Sequence, residues 1–298
     1  MRLATRAMSV RLIERSNGRS RSVASRLALT LCALLLAACG APSTPAGLLI
    51  AHPDHPDRQV EYFVAQPAGS GPWPTVVLLH GHQQGERSGG YDFVRWKVLD
   101  GFAQRGYLAV SVSQPGYGRS DGPADYCGPA TQRAIVGVLD AMRAQGKASR
   151  DKVVLFGISR GAIAAGLVAA QDTSIAGIVL VSGDYDLVRY VAEAEGARVD
   201  VARAIRAEAG DAIDALAARS VLSVADRIKA DALILNGAKD DRADPASGVA
   251  LADAIVRAGG TARAIVYPDT GHQIPLELRN RDIDPFIDAV LGGPGRSE

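Results

Sequence analysis

Lys152-Val-Val-Leu-Phe-Gly-Ile-Ser-Arg-Gly-Ala-Ile-Ala-Ala-Gly166 is the stretch whose reading decides the fold. Val153 to Phe156 is an unbroken apolar run, the pattern of a parallel strand buried on both faces rather than a half-exposed one. Gly157-Ile158-Ser159-Arg160-Gly161 then fits G-x-S-x-G, and an Ala-rich helical pattern carrying Ile163, Leu167 and Val168 follows at once. A strand, a sharp turn and a helix in that order put Ser159 at the turn, with its hydroxyl above the sheet edge. Glycine on either side suits a place where a Cβ would clash as strand and helix nearly touch. The five-letter pattern alone is weak in a chain with 32 glycines in 298 residues, and Gly118-Arg119-Ser120-Asp121-Gly122 matches it too. Context separates the two. Ser120 lies beyond the nearest apolar run and is followed closely by Pro123, against an immediate strand-turn-helix. Ser159 is therefore the expected nucleophile, the plainer alternative being a packing or capping serine.

Working outward, Arg58 to Ala65 alternates and reads as an antiparallel edge strand. Thr75 to Leu79 is a fully apolar strand ending in His80-Gly81-His82-Gln83-Gln84-Gly85. Phe93, Val94, Leu99 and Phe102 mark a helix, and Leu108 to Val112 the next strand. Ala134, Val138 and Met142 mark a helix ahead of the Ser159 strand, and Ile178 to Val181 a strand after it. Between Gly183 and Ala230 the rhythm breaks into helical spacing (Val201/Ile205, Ile213/Leu216), read as a helical insertion at about 184–230, either a lid over the site or plain surface packing. Strands resume at Ala232 to Leu235 and Ala262 to Tyr267, with helices around Val249 to Val256 and Ile283 to Leu291. The expected fold class is α/β, a mostly parallel sheet with helices on both faces.

A serine hydroxyl is a poor nucleophile at neutral pH and needs a base, which in turn needs an acid to orient it. His272, in Asp269-Thr270-Gly271-His272, falls in the loop after the last strand, at the same sheet edge as Ser159. The acid is expected after the preceding strand, where Asp240, Asp241 and Asp244 are candidates.

The order Ser159, Asp240, His272 on alternating strands and helices resembles the α/β-hydrolase superfamily over residues 58–292. Ile228 to Asp240 makes the chain similar to the prolyl-oligopeptidase-like and dienelactone-hydrolase-like members. It departs from them at Asn236, where histidine is commoner, and at Ala232, where proline is usual. The resemblance chooses Asp240 as the acid through the Gly-x-x-Asp spacing from Gly237. It also implies an oxyanion hole formed by the backbone N–H groups of His82 and Arg160. With no propeller ahead of it, the chain is not expected to be a gated oligopeptidase.

Residues 1–26 carry seven arginines and one acid, and a dozen mostly apolar residues follow to Ala38, too few to span a bilayer. Leu36-Ala37-Ala38-Cys39 resembles a bacterial lipobox, so 1–38 is expected to be a lipoprotein signal peptide and Cys39 the lipidated residue. The alternative is ordinary signal cleavage, and Met8 is a second candidate start. Residues 39–57 are read as the lipidated cysteine and its tether, and 58–298 as one hydrolase domain. Without 1–38, Lys+Arg falls from 33 to 26 and Asp+Glu from 32 to 31, taking the formal net charge from +1 to −5. That leaves no basic patch for nucleic acid. Cys127 would have no disulfide partner. His52-Pro-Asp-His55-Pro-Asp57 reads as a polar turn, His80 with His82 lacks a third ligand, and neither metal nor cofactor is expected.

The sequence thus predicts a serine hydrolase of carboxylic esters, working through an acyl-enzyme in the cell envelope. It would hold to the membrane, the outer one facing the periplasm, by its lipid anchor. Peptide or amide cleavage by the same machinery is the near alternative, and a non-catalytic envelope binding protein on a hydrolase fold the distant one.

Overall fold

A computed structural model describes residues 47–293. The segment expected to be a signal peptide, Cys39 and the expected tether up to residue 46 therefore lie outside the described residues. Eight strands form one sheet in the order β1-β2-β4-β3-β5-β6-β7-β8. They are β1 (Leu48–His52), β2 (His55–Ala65), β3 (Trp73–Leu79), β4 (Leu108–Val112), β5 (Ala148–Ile158), β6 (Gly177–Val181), β7 (Asp231–Gly237) and β8 (Ala262–Tyr267). β2 runs antiparallel to β1 and β4, and all other pairings are parallel.

The helices are α1 (Tyr91–Arg95), α2 (Val98–Gln104), α3 (Pro129–Ala144), α4 (Arg160–Ala169), α5 (Leu187–Ala192), α6 (Arg198–Ala209), α7 (Ile213–Ala217), α8 (Pro245–Arg257) and α9 (Leu276–Leu291), with a 3-10 helix at Val221–Arg227. Strand side chains alternate between faces, and that alternation builds two cores. Val77, Leu79, Leu155 and Leu180 join α3, α4 and α8 on one face. Val76, Leu78, Val154 and Val179 join α1, α2 and α9 on the other. This is the α/β-hydrolase arrangement, with helices on both faces of a mostly parallel sheet.

The sequence reading is corrected at one edge. Residues 48–57, expected as tether, form β1 and the start of β2, so β2 is an inner strand and β1 the edge. His52 closes this hairpin: it is buried, its ring bonds the Ala130 carbonyl, and it accepts the N–H of Asp54 across the turn. A five-residue strand with Leu48 and Leu49 exposed carries too little alternation to reveal itself before its partner is known.

The 184–230 segment is helical, comprising α5, α6, α7 and the 3-10 helix. Ala202, Ile205, Leu216 and Val221 anchor it in the core on the α4 side of the sheet.

The tightest approach in the sheet region is between the start of α4 and the end of β3. A Cβ on Gly161 would overlap the Leu79 carbonyl, and one on Gly157 would overlap the Gly161 carbonyl. Both obstacles are backbone, so neither can swing aside. Gly101, inside α2, has open space around it. Gly161→Ala should therefore destabilise the protein by several kcal/mol or prevent folding, whereas Gly101→Ala should raise stability by about 0.5–1 kcal/mol through helix propensity. Thermal unfolding of the two variants checks this, and a Gly161→Ala protein with wild-type stability would refute the contact.

Candidate active site

Ser159 sits between β5 and α4 with φ 55° and ψ −119°, a conformation that L-residues rarely hold and that costs on the order of 1–3 kcal/mol. Its N–H bonds the Val181 carbonyl of the neighbouring strand at 2.7 Å, and its carbonyl opens α4 by accepting from Ala162. Backbone bonds on both sides of the turn thus hold the strained residue in place. The Ser159 hydroxyl lies 3.1 Å from His272 Nε2. His272 Nδ1 lies 2.9 and 3.0 Å from the two oxygens of Asp240. A carboxylate only accepts, so His272 carries its proton on Nδ1 and receives the serine O–H at Nε2.

Asp240 is held in turn by the N–H groups of Arg242 and Ala243, at 2.9 and 3.0 Å, and its side chain has no exposed surface. Of the other two candidate acids, Asp241 is exposed. Asp244 caps α8 through the Ala246 N–H and pairs with Arg189 at 2.8 Å. Ser120 is a structural serine, accepting the Glu61 N–H and donating to the Ser113 carbonyl. Asn236, the departure from the family pattern, is buried at the end of β7 and donates to the Gly183 carbonyl.

Ser159 and His272 open into a cavity of about 600 Å³, also lined by His82 and Arg160, with Asp240 buried behind the imidazole. Leu187 and Tyr190 of α5, with Val201 and Ile205 of α6, wall one side. Among the described residues neither the His82 nor the Arg160 N–H takes part in a backbone–backbone hydrogen bond.

The Arg160 side chain belongs to a buried network invisible in the sequence. It pairs with Glu208 of α6 at 2.6 Å, donates from Nε to Gln114 at 2.9 Å, and donates to the Tyr117 hydroxyl at 3.2 Å. Tyr117 and Tyr126 cover its planar faces. Glu208 also accepts the Tyr126 N–H. The Tyr117 hydroxyl lies 3.1 Å from His82 Nδ1. A guanidinium cannot accept, so the phenolic proton goes to His82 Nδ1 and leaves that imidazole with its proton on Nε2. Burial, and then the Arg160 charge, push the His82 pKa down and favour this neutral form.

His80 is fixed the other way round. Its Nε2 accepts the Gln114 N–H and its Nδ1 donates to the Gly81 carbonyl, while burial holds its pKa at about 4. Cys127 is buried against the Arg160 carbonyl, and burial pushes its thiol up to about 12, which leaves it unreactive. No group of three metal-ligating side chains occurs among the described residues.

The prolyl oligopeptidase family model matches residues 102–291. The chain belongs to that family. The matched region begins in α2 and ends with α9, and it contains Ser159, Asp240 and His272. Dipeptidyl aminopeptidase BIII of Pseudoxanthomonas mexicana is 28% identical over an alignment of 240 residues that covers 74% of this chain and 34% of that protein. The chain thus spans about a third of the length of this curated relative.

Among solved structures, an acylaminoacyl peptidase of Pyrococcus horikoshii superposes with a TM-score of 0.69 at 16% identity, over 85% of this chain and 43% of that one. An acetyl xylan esterase from Paenibacillus sp. R4 superposes at 0.64 and 16% identity, over 92% of this chain and 97% of that one. At such identity these likenesses speak for the fold alone.

Sequence reasoning placed Ser159, Asp240 and His272, which the structure brings together, and His82 and Arg160, which line the same cavity. It missed Glu208, Tyr117 and Gln114. Glu208→Ala should leave the Arg160 charge buried without its partner and cost about 3–5 kcal/mol, with Arg160→Met/Glu208→Leu recovering much of the loss. Urea unfolding reads both, and a Glu208→Ala variant within 0.5 kcal/mol of wild type, roughly the scatter of neutral surface changes, would sink the assignment.

Proposed function

We propose that this chain is a serine hydrolase that cleaves by way of an acyl-enzyme, with short peptides and related amides as its preferred substrates. The observation that carries the reading is the hydrogen-bond chain Ser159–His272–Asp240, seated on a strained turn and open to the cavity. His272 takes the Ser159 proton as Oγ attacks the carbonyl carbon. The oxyanion is received by the N–H groups of His82 and Arg160. His272 then protonates the leaving amine or alcohol and activates water to release the acid. Asp240, held by two backbone N–H groups, keeps the imidazole in the tautomer this requires.

Carboxylic ester cleavage was the first expectation from sequence. Membership in the prolyl oligopeptidase family supports amides instead, and the same centre would turn over activated esters. With α5 and α6 walling one side, a cavity of about 600 Å³ suits a small substrate.

The test is a fluorophosphonate label followed by matched p-nitrophenyl esters and peptide p-nitroanilides. Ser159→Ala should lose the label and Ser120→Ala keep it. Asp240→Asn should lose on the order of 10⁴ in turnover by favouring the wrong tautomer, and Asp241→Asn little. A wild-type protein that takes no label would leave only the binding-protein reading. One that takes the label but cleaves only esters would restore the ester reading.

We also place the protein in the cell envelope, held at the outer membrane on its periplasmic side through Cys39, on the strength of Leu36 to Cys39 and the arginine-rich segment before it. Metabolic labelling with palmitate should mark the wild type and not Cys39→Ser; equal labelling of both would remove the anchor.

A further inference from the structure

The cavity is lined by charged side chains, and nearly all of them are already matched. Asp92 accepts from Arg95 at 2.7 Å, and Asp200 from Arg203 at 2.7 Å. Asp184 accepts the backbone N–H groups of Asp186 and Asp244, at 3.3 and 3.1 Å. Arg160 is paired with Glu208. Two guanidinium groups remain, Arg242 and Arg279. Arg242 is exposed, and water suffices for it.

Arg279 is different. It projects from the first turns of α9, seven residues after His272, and it is only partly exposed. Among the described residues no carboxylate lies within ion-pair distance of it, and its Nε is buried with no hydrogen-bond acceptor. Among the described residues its one cation–π partner, Phe156, has its ring centroid 6.0 Å from the guanidinium carbon, at the far limit of such a contact, and offers no acceptor. Burial alone acts on its pKa and pushes it down, with no anion near enough to oppose that. A guanidinium taken from water and left unpaired is costly to a folded chain, and such groups are otherwise matched. Arg279 and Ser159 line the same cavity.

We propose that Arg279 is the anion-recognition group of this cavity and that the substrate carries a carboxylate which pairs with it. The planar fork of the guanidinium takes a carboxylate through two parallel hydrogen bonds. One unmatched, half-buried cation balances one negative charge, which favours a carboxylate over a doubly charged phosphate monoester. This inference rests on the serine hydrolase reading and narrows it: a peptide supplies such a group at its C-terminus, on the leaving side, and a dicarboxylic half-ester supplies it on the acyl side.

The experiment uses matched pairs that differ only in that charge. One pair is an N-acetyl dipeptide ending in carboxylate or in carboxamide; the other is a p-nitrophenyl hemisuccinate or its succinamate counterpart. In one pair kcat/KM should favour the charged member, on the order of ten- to a hundred-fold, the range of a charge-assisted hydrogen bond. The responding pair tells which side of the scissile bond carries the carboxylate. In Arg279→Met that ratio should fall towards one, through KM, and Arg279→Lys should keep part of it. A wild-type ratio near one in both pairs, or a ratio that survives in Arg279→Met, overturns the proposal.

If Ser159 takes the fluorophosphonate label but no member of either pair is cleaved, the same compounds are used to protect against labelling. Equal protection by charged and neutral members then overturns it as well. Failure of the wild type to label at all strikes instead at the hydrolase reading, and this inference falls with it.

Discussion

The close contact of Gly161 with the end of β3 is the constraint on which the rest depends. It brings the first turn of α4 against the Leu79 carbonyl, one residue before His80. It thereby sets the nucleophile turn beside the loop that carries His82. Ser159 cannot relax to an ordinary conformation without moving α4 off the sheet. The strain is therefore held by the whole of the α4 packing against β5, β6 and the 3-10 helix, rather than by local bonds alone. The same parallel register that seats α4 brings the ends of β5, β7 and β8 to one edge. Their following loops deliver Ser159, Asp240 and His272 there. A site assembled from residues 113 positions apart in sequence is in this sense a by-product of strand order.

What was legible follows from where the signal lies. The apolar runs of β3, β4 and β6 mark central strands because both faces of each are covered, and such runs are hard to mistake. β5 is longer than its apolar run because the polar residues Ser149 to Lys152 fall in a register irregularity, between the pairing of Ala148 with Trp73 and that of Val153 with Thr75. β1 was read as tether because its pairing with β2, not its own composition, makes it a strand. Asp240 could be chosen over Asp241 only by spacing from Gly237, since composition treats neighbouring acids alike; the two backbone N–H groups that hold it are a property of the turn. Glu208 was beyond reach for a plainer reason. It lies in an Ala-, Arg- and Glu-rich helix whose carboxylates look like a solvated face, and nothing local tells the one that turns inward from those that do not.

Arg160 and Arg279 show how burial acts on one side-chain type in two ways within one cavity. Both guanidinium groups have left water in large part. Arg160 is met by a carboxylate, an amide oxygen, a phenol and two aromatic faces, so its charge is matched inside the protein and serves to order its surroundings. Through Tyr117 it decides where the proton of His82 sits, and through Glu208 it ties helix α6 to the nucleophile turn. Packing of the inserted helices and tautomer choice beside the nucleophile are thus linked by one unbroken chain of hydrogen bonds.

Arg279 has no such set of partners, and the protein keeps the cost of that uncompensated charge at the edge of its reaction chamber. A group buried for stability would be expected to show its partner within the fold, as Arg160 does. A group held ready for a ligand would not, because a resident carboxylate would compete with the incoming one. By this contrast the matched arginine belongs to the architecture of the site, and the unmatched one to its choice of substrate.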